Sequence, residues 1–302
     1  MNSAVASALG LLTIVSLLPP VVHAQSTITA DNRHAYAANA GWIDARPSAT
    51  DGARLTDNVC SGYLYAANVG WIHLGGGAPA NGIRYGNASA TDYGVNVFTY
   101  AVDLAQAGQL RGYAYGANIG WIAFEDQGNP RIDLTTGRLS GFAYSANVGW
   151  INLGAFSASI TSSLAPATDT DNDSIPDAWE RSYFGDLTTA GPGSDFDNDG
   201  QPDWIEFAAD TDPKNATDLF RLTSLAPNLA ASPGQVTVTF TSRPTRRYRL
   251  AFGTGLSLPV NWIPSGLGTF TPDAGPSTTR TFSSTDAPQA FIRAEVLRPL
   301  TP

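Results

Sequence analysis

The sequence predicts a mainly β protein: an N-terminal domain of four repeated β-hairpins, a short Asp-rich segment with small helices, and a C-terminal antiparallel β-sandwich. Three observations carry this reading. An eight-residue motif centred on Asn-x-Gly-Trp-Ile occurs four times between Tyr36 and Ile151. Gly and Pro, 30 and 20 residues, punctuate the whole chain, as many short strands joined by turns require. After residue 219, apolar and polar side chains alternate with the period of a half-buried strand.

The chain opens on an apolar stretch, residues 4–22, with Leu9 to Leu18 at its heart, followed by Val22-His23-Ala24 before Gln25. A short apolar run with a small-x-small end reads as a signal peptide, although its first residues lack Lys and Arg. Pro19-Pro20 and the shortness of the run argue against a membrane anchor. The expected location is secreted or cell-surface, with no membrane span after cleavage. Cys60 is the single cysteine, so no intramolecular disulfide can form, and it is expected to be a small buried side chain.

The hairpin copies are Tyr36–Ile43, Tyr65–Ile72, Tyr115–Ile122 and Tyr144–Ile151, with Tyr, Ala, Asn, Gly, Trp and Ile fixed in all four. The tryptophans lie 29, 50 and 29 residues apart, so the unit is a pair of motifs duplicated at an offset of 79. Gly75–Val95 is the longest departure from the short period. Within Arg138–Leu153, Leu139, Gly141 and Ala143 fall on one side of a strand, and Phe142 and Tyr144 on the other. Asn147 and Gly149 flank the reversal; both tolerate a left-handed backbone, and the Asn is expected to serve nearby backbone groups of its own turn. On the return strand Ile151 and Leu153 share one face, Trp150 and Asn152 the other. A lone hairpin is barely stable, so the four must bury a common core. Each Trp is expected to pack against its neighbour's Tyr within that core. The alternative is an exposed platform for sugar rings built from Trp42, Trp71, Trp121 and Trp150.

The motif, seen most fully as Gly112-Tyr113-Ala114-Tyr115-Gly116-Ala117-Asn118-Ile119-Gly120-Trp121-Ile122-Ala123-Phe124, resembles a repeat of exported bacterial proteins. The resemblance implies export and a repeated β-architecture.

The sharpest chemistry follows. The net charge is −9, yet Asp169–Asp218 holds 14 acidic against 2 basic side chains, a net −12 in one segment. Residues 219–302 hold 8 basic against 3 acidic, a net +5. Unneutralised, the acidic density would favour disorder; a bound cation removes the problem. The acids are in register. Asp169, Asp171, Asp173, Asp177 and Glu180 occupy positions 1, 3, 5, 9 and 12 of a twelve-residue loop. Asp195, Asp197, Asp199, Asp203 and Glu206 repeat those positions 26 residues later. Calcium takes six to eight oxygens in a flexible cage, and alternate Asp residues in a tight loop converge on one point. The position-7 carbonyl of Ile175 or Gln201 adds an oxygen, and the position-12 Glu can offer two. Gly200 permits the sharp turn at position 6, with Ser174 as its counterpart. An all-oxygen set disfavours zinc and copper. Calcium is therefore the expected cofactor.

Asp169–Pro213 resembles the thrombospondin type 3 repeat of bacterial proteins and, more loosely, the loops of dockerins and EF-hands. That resemblance implies calcium-dependent structure in an extracellular protein. Pro at position 8 of both loops, Pro176 and Pro202, argues against helix–loop–helix pairing of the sensor type. Short helices are expected at Asp177–Phe184 and Asp203–Ala209, with Trp179, Tyr183 and Phe184 packing on Trp204 and Phe207. Asp210 and Asp212 are candidates for a neighbouring site.

In the last domain, Val236–Phe240, Tyr248–Phe252 and Phe291–Val296 read as strands, with Tyr248, Trp262 and Phe291 in the core. This part looks like the small β-sandwich that often ends exported bacterial proteins with type 3 repeats. The expected domains are 1–24 signal peptide, 25–160 hairpin repeats, 161–218 calcium-binding linker and 219–302 sandwich.

No catalytic residues are assigned. His34 and His73 are the histidines left after signal removal, and neither sits in a nucleophile or zinc motif. No basic patch invites nucleic acid. The expected function is a non-enzymatic, exported structural or adhesive protein, with calcium rigidifying the joint between two β domains and a cell-surface glycan or protein as partner. The alternatives are a carbohydrate-binding module and an accessory part of an extracellular hydrolase.

Overall fold

A computed structural model describes residues 25–48, 50–100, 106–154, 159–228, 230, 234–253, 261–283, 291–298 and 300. The predicted signal peptide lies outside the described residues. The fold is mainly β with two short helices.

The four hairpins are β1 (Ile28–Ala37) with β2 (Gly41–Asp44), β4 (Cys60–Ala66) with β5 (Gly70–His73), β7 (Leu110–Gly116) with β8 (Gly120–Phe124), and β11 (Phe142–Ser145) with β12 (Gly149–Asn152). They pair antiparallel in chain order, and β12 returns to β1 through Tyr36↔Asn152 and Ala37↔Ile151. The result is a closed eight-stranded barrel with no free edge among these strands. Short strands reinforce it: β3 (Ala53–Leu55) beside β4, β6 (Val95–Val97) beside β7, and β13 (Ile160–Ser162) beside β1. The pair β9 (Arg131–Ile132) and β10 (Leu139–Ser140) stands apart. β13, paired with β1 outside the closed barrel, begins at residue 160.

Alternation decides what fills the interior. Ala35, Ala37, Ala66, Ala114 and Ala143 point inward with Ile43, Ile72, Ile122 and Ile151, all buried. Toward the other end the filling is larger: Leu55, Leu64, Leu74, Leu110, Phe124 and Leu153. The space left there is a cavity of about 30 Å³, so this barrel is a packed core rather than a container. Cys60 is buried within it, and burial pushes its thiol pKa up.

The tryptophans face the other way. Trp42, Trp71, Trp121 and Trp150 stand on the outer surface, 50, 49, 47 and 46% exposed. The expectation of a Trp core is corrected. Each Trp does pack on a Tyr, but on the Tyr directly opposite in its own hairpin and outside the barrel. The ring centroids are 5.1, 5.0, 5.0 and 5.0 Å apart.

Each hairpin reverses through a three-residue loop. Gly41, Gly70, Gly120 and Gly149 follow it at φ of 78, 80, 68 and 78°, the left-handed position of a type I turn with a bulge. The Asn residues are not left-handed, nor do they serve their own turns. Asn68 Nδ2 donates to Ala40 O (3.2 Å), Asn118 to Val69 O (3.1 Å), Asn147 to Ile119 O (3.0 Å) and Asn39 to Val148 O (3.3 Å). The four bonds form a ring that ties every turn to the previous one and the first to the last. Beneath the ring, Ala40, Val69, Ile119 and Val148 are buried and plug that end of the barrel. Asn118→Ala is expected to lower stability by about 1 kcal/mol, the typical net worth of one such bond. Urea denaturation checks this; an unchanged midpoint would mean the ring contributes nothing.

The acidic segment carries α1 (Asp177–Tyr183) and α2 (Asp203–Ala209). Trp179 packs on Tyr183, Phe184 and Phe207, but Trp204 is 45% exposed and takes no part, contrary to expectation. Tyr100, from the barrel side, joins Ile175, Trp179, Ala190 and Phe207 in one buried cluster.

The last domain pairs β14 (Leu222–Asn228), β15 (Gln235–Thr241) and β18 (Ser277–Ser283) in one sheet, ordered β14-β15-β18. The second sheet is ordered β17-β16-β19, from β16 (Arg247–Gly253), β17 (Ile263–Pro264) and β19 (Phe291–Leu297). Val236, Val238, Phe240, Tyr248, Leu250, Phe252 and Phe282 fill the space between them. Tyr248 is core as expected. Trp262 and Phe291 are half-buried instead, and Trp262 lies under the Arg293 guanidinium at 4.5 Å. Among the described residues no helix is long and apolar enough to cross a membrane.

Candidate metal centre

Both twelve-residue loops fold alike. Positions 4 and 6 are left-handed in each: Asn172 and Ser174 at φ 62 and 79°, Asn198 and Gly200 at 59 and 93°. Asn and Gly accept that backbone readily; Ser174 adopts it at a cost. Position 8 is the helix N-cap, Pro176 or Pro202, so positions 9 and 12 fall in the first helical turn with their carboxylates near the positive end.

The first carboxylates shape the loops. Asp169 Oδ1 and Oδ2 accept from the N–H of Asn172 (2.8 Å) and Ser174 (3.0 Å). Asp195 likewise accepts from Asp199 (3.1 Å) and Gly200 (3.0 Å). Position 5 gives one oxygen to the backbone two residues on, Asp173 to Ile175 and Asp199 to Gln201, each at 2.7 Å. The second oxygens of Asp173, Asp197 and Asp199 are buried without a hydrogen-bond partner.

Position 12 is the decisive feature. Glu180 and Glu206 are 0% exposed. Both oxygens of Glu180 and one of Glu206 have no hydrogen-bond partner, nor has Oδ2 of the fully buried Asp203. Ligand oxygens of Asp171, Asp173 and Glu180 lie within 4.8 Å of one another, as do those of Asp169, Asp171 and Asp177, and of Asp195, Asp197 and Asp199. An enclosed carboxylate without a partner is among the costliest arrangements a fold can hold, and a cation at the convergence point supplies the missing partner. Burial, followed by the charges of Asp173 and Asp171, pushes Glu180 up to about 7. Burial with Asp197 and Asp199 pushes Glu206 up to about 8. Donors that are all oxygen suit a hard cation.

Comparison of the chain with family models, curated proteins and solved structures finds no match in any of the three. The loops must therefore be read from their own chemistry.

One predicted residue, Asp177, converges with Asp169 and Asp171 and also has partners within the protein. Asp177 is occupied: Oδ1 accepts from Thr170 N at 2.6 Å, and Oδ2 from Thr170 Oγ1 at 2.6 Å and Arg181 at 3.1 Å. Burial alone would raise its pKa, but these bonds outweigh it and hold the carboxyl low. Asp177 thus braces loop one, whereas Asp203, which accepts only from Phe196 N (3.1 Å) through Oδ1, keeps Oδ2 turned inward. Asp210 belongs to no second metal site. It is fully buried, accepts from Thr245 Oγ1 and faces the Arg246 guanidinium at 3.7 Å. Asp212 gives Oδ1 to Lys214 N (3.1 Å).

The position-7 residues anchor the loops. Ile175 is buried in the aromatic cluster. The Gln201 amide clasps the backbone of Phe220 both ways, at 3.2 Å each, where the sandwich begins. Sequence reasoning missed the arginines that complete the joint. Arg246 donates to Ala208 O (2.8 Å) and Phe207 O (3.0 Å), capping the last turn of α2. Arg243 pairs with Asp218, and Arg298 pairs with Asp57 of the barrel. The charge asymmetry between the acidic segment and the basic sandwich was the available signal.

The pH dependence has a definite sign. Between pH 5 and 8, low-lying carboxyls such as Asp133 are already ionised, while Glu180 and Glu206 hold their protons longer folded than unfolded. The folded state therefore binds the extra protons, and metal-free stability is expected to fall as pH rises from about 6.5 to 8; below that range burial of His73, which lowers its pKa, acts in the opposite direction. Denaturant melts in chelator at the two ends check this; a rise would contradict the placement of the two glutamates.

Proposed function

We propose that this is an exported calcium-dependent structural protein, in which two ions set the geometry of a joint between a β-barrel and a β-sandwich. The single observation that supports it most is the pair of enclosed position-12 glutamates, Glu180 with neither oxygen and Glu206 with only one oxygen partnered, facing Asp loops in the same register. The joint gives the ions leverage. The helix whose first turn bears Asp203 and Glu206 is gripped at its other end by Arg246, while Trp179, next to Glu180, packs in the cluster shared with Tyr100. Metal, helices and both neighbouring domains form one connected unit, so binding and rigidity are coupled. The likeness of Asp169–Pro213 to thrombospondin type 3 repeats agrees with this reading, as does an adhesive or scaffolding role outside the cell.

Scattering from the chain in calcium and in chelator tests the proposal. A single maximum dimension in calcium that broadens to a distribution on chelation is expected; identical profiles would refute calcium as the joint's organiser. A second reading, glycan binding, is favoured by the outward tryptophans.

A further inference from the structure

The outer face of the barrel is a set of cross-strand rows, and one of them is notched. The residue two after each Trp lies beside the Tyr of the next hairpin: Asp44↔Tyr65, His73↔Tyr115, Ala123↔Tyr144 and Asn152↔Tyr36. Three of these positions are filled and engaged. Asp44 pairs with Arg33 at 3.4 Å, His73 Nδ1 meets Tyr93 Oη at 2.7 Å, and Asn152 Oδ1 accepts from Gly154 N at 3.0 Å. The fourth is alanine. Ala123 therefore leaves a gap in the row Tyr113–Ala123–Tyr144–Trp150, which runs across four adjacent strands.

A cleft opens on each side of that gap. One, of about 450 Å³, is lined by Trp121, Tyr113, Tyr93 and the loop 87–90. Tyr93 comes from the long insertion that breaks the repeat period, and it stands edge-on to Trp121 at 4.9 Å, held by His73. The other, of about 370 Å³, is lined by Ala123, Phe142, Tyr144 and Trp150, with Glu125 and Gln127 on its rim. The Tyr113–Ala123 pair joins the two, so segments outside the repeat have walled two of four equivalent tryptophans into one trough. Both volumes lie in the range of small-ligand sites.

We infer that this trough binds a neutral oligosaccharide chain. The apolar C–H face of a pyranose suits rings fixed by their cross-strand Tyr partners, and the carboxylate and amide on the rim suit hydroxyl groups. Other occupants fit worse. A closed barrel offers no strand edge for peptide addition. Glu125 and Asp126 line the second cleft, and these carboxylates disfavour anionic polymers. This inference stands apart from the calcium reading: the trough lies on the barrel, and failure of the metal loops leaves it untouched.

Tryptophan fluorescence of the whole secreted chain, in calcium and in chelator, tests it against hexasaccharides of glucose, N-acetylglucosamine, xylose and mannose, with oligogalacturonate as the charged comparator. At least one neutral chain is expected to quench saturably, with or without calcium. Ala123→His fills the notch with the side chain found at the equivalent position 73, so folding is kept while affinity falls about tenfold or more. Trp150→Ala is expected to lose as much, and Trp42→Ala, on the opposite side of the barrel, to bind normally. The inference is overturned if no neutral chain quenches at millimolar concentration, if oligogalacturonate binds best, or if Ala123→His binds like the parent.

Discussion

Glu180→Gln is expected to melt higher than the parent protein in chelator and lower than it in calcium. The reversal follows from one side chain. Without metal, Glu180 is a fully enclosed carboxylate with neither oxygen partnered, next to Asp171 and Asp173. A neutral amide removes the charge from that place, and the metal-free fold gains. With calcium, the same change deletes a ligand able to bind through two oxygens. A hundredfold loss of affinity corresponds to about 2.7 kcal/mol of the metal-bound protein's stability. Glu206→Gln should behave in the same way, since Glu206 is equally enclosed and its Oε2 has no partner. Calorimetric melts of both variants in both buffers settle the point. A shift of one sign in both conditions would mean these glutamates are not ligands.

Arg246→Ala is expected to cost about 3–5 kcal/mol, the usual effect of removing one partner from a buried ion pair. Arg246 is among the largest fully enclosed side chains of the protein, and it faces the equally enclosed Asp210. It also satisfies two carbonyls at the end of α2 that would otherwise lose their donor. Asp210 itself sits at φ 62°, a backbone that the surrounding contacts must hold in place. Adding Asp210→Asn should recover part of the loss, since the stranded charge is then gone. Urea denaturation of the single and double variants reads both effects. A loss under 1 kcal/mol for Arg246→Ala would show that the sandwich is not fastened to the metal segment through this residue.

The parts legible in the sequence were those set by local periodicity. The alternation in Arg138–Leu153 placed Leu139, Gly141 and Ala143 on one side of the first strand and Ile151 with Leu153 on one face of the second; all but the half-buried Gly141 are buried. The spacing of Asp195, Asp197 and Asp199 foretold a loop in which they converge. Alternation states which residues share a face, however, and not which face is inside. That choice follows from closure: an eight-stranded barrel has room for alanine and isoleucine but not for four tryptophans. Closure itself rests on β12 meeting β1, a pairing over 100 residues apart that no local pattern encodes. The same distance hid the Asn ring, because each Asn reaches a neighbouring hairpin rather than its own turn. Asp210 carried the right charge for a metal ligand, yet Arg246 claims it, and such claims are made only in three dimensions.

Calorimetric titration of calcium into the metal-stripped chain is the most direct measurement of all. Two ions per chain are predicted, with protons released near neutral pH as Glu180 and Glu206 give theirs up, and one ion should be lost in Glu206→Gln. Absence of heat up to millimolar calcium, with the loops intact, would contradict the central role assigned to Asp169–Glu206.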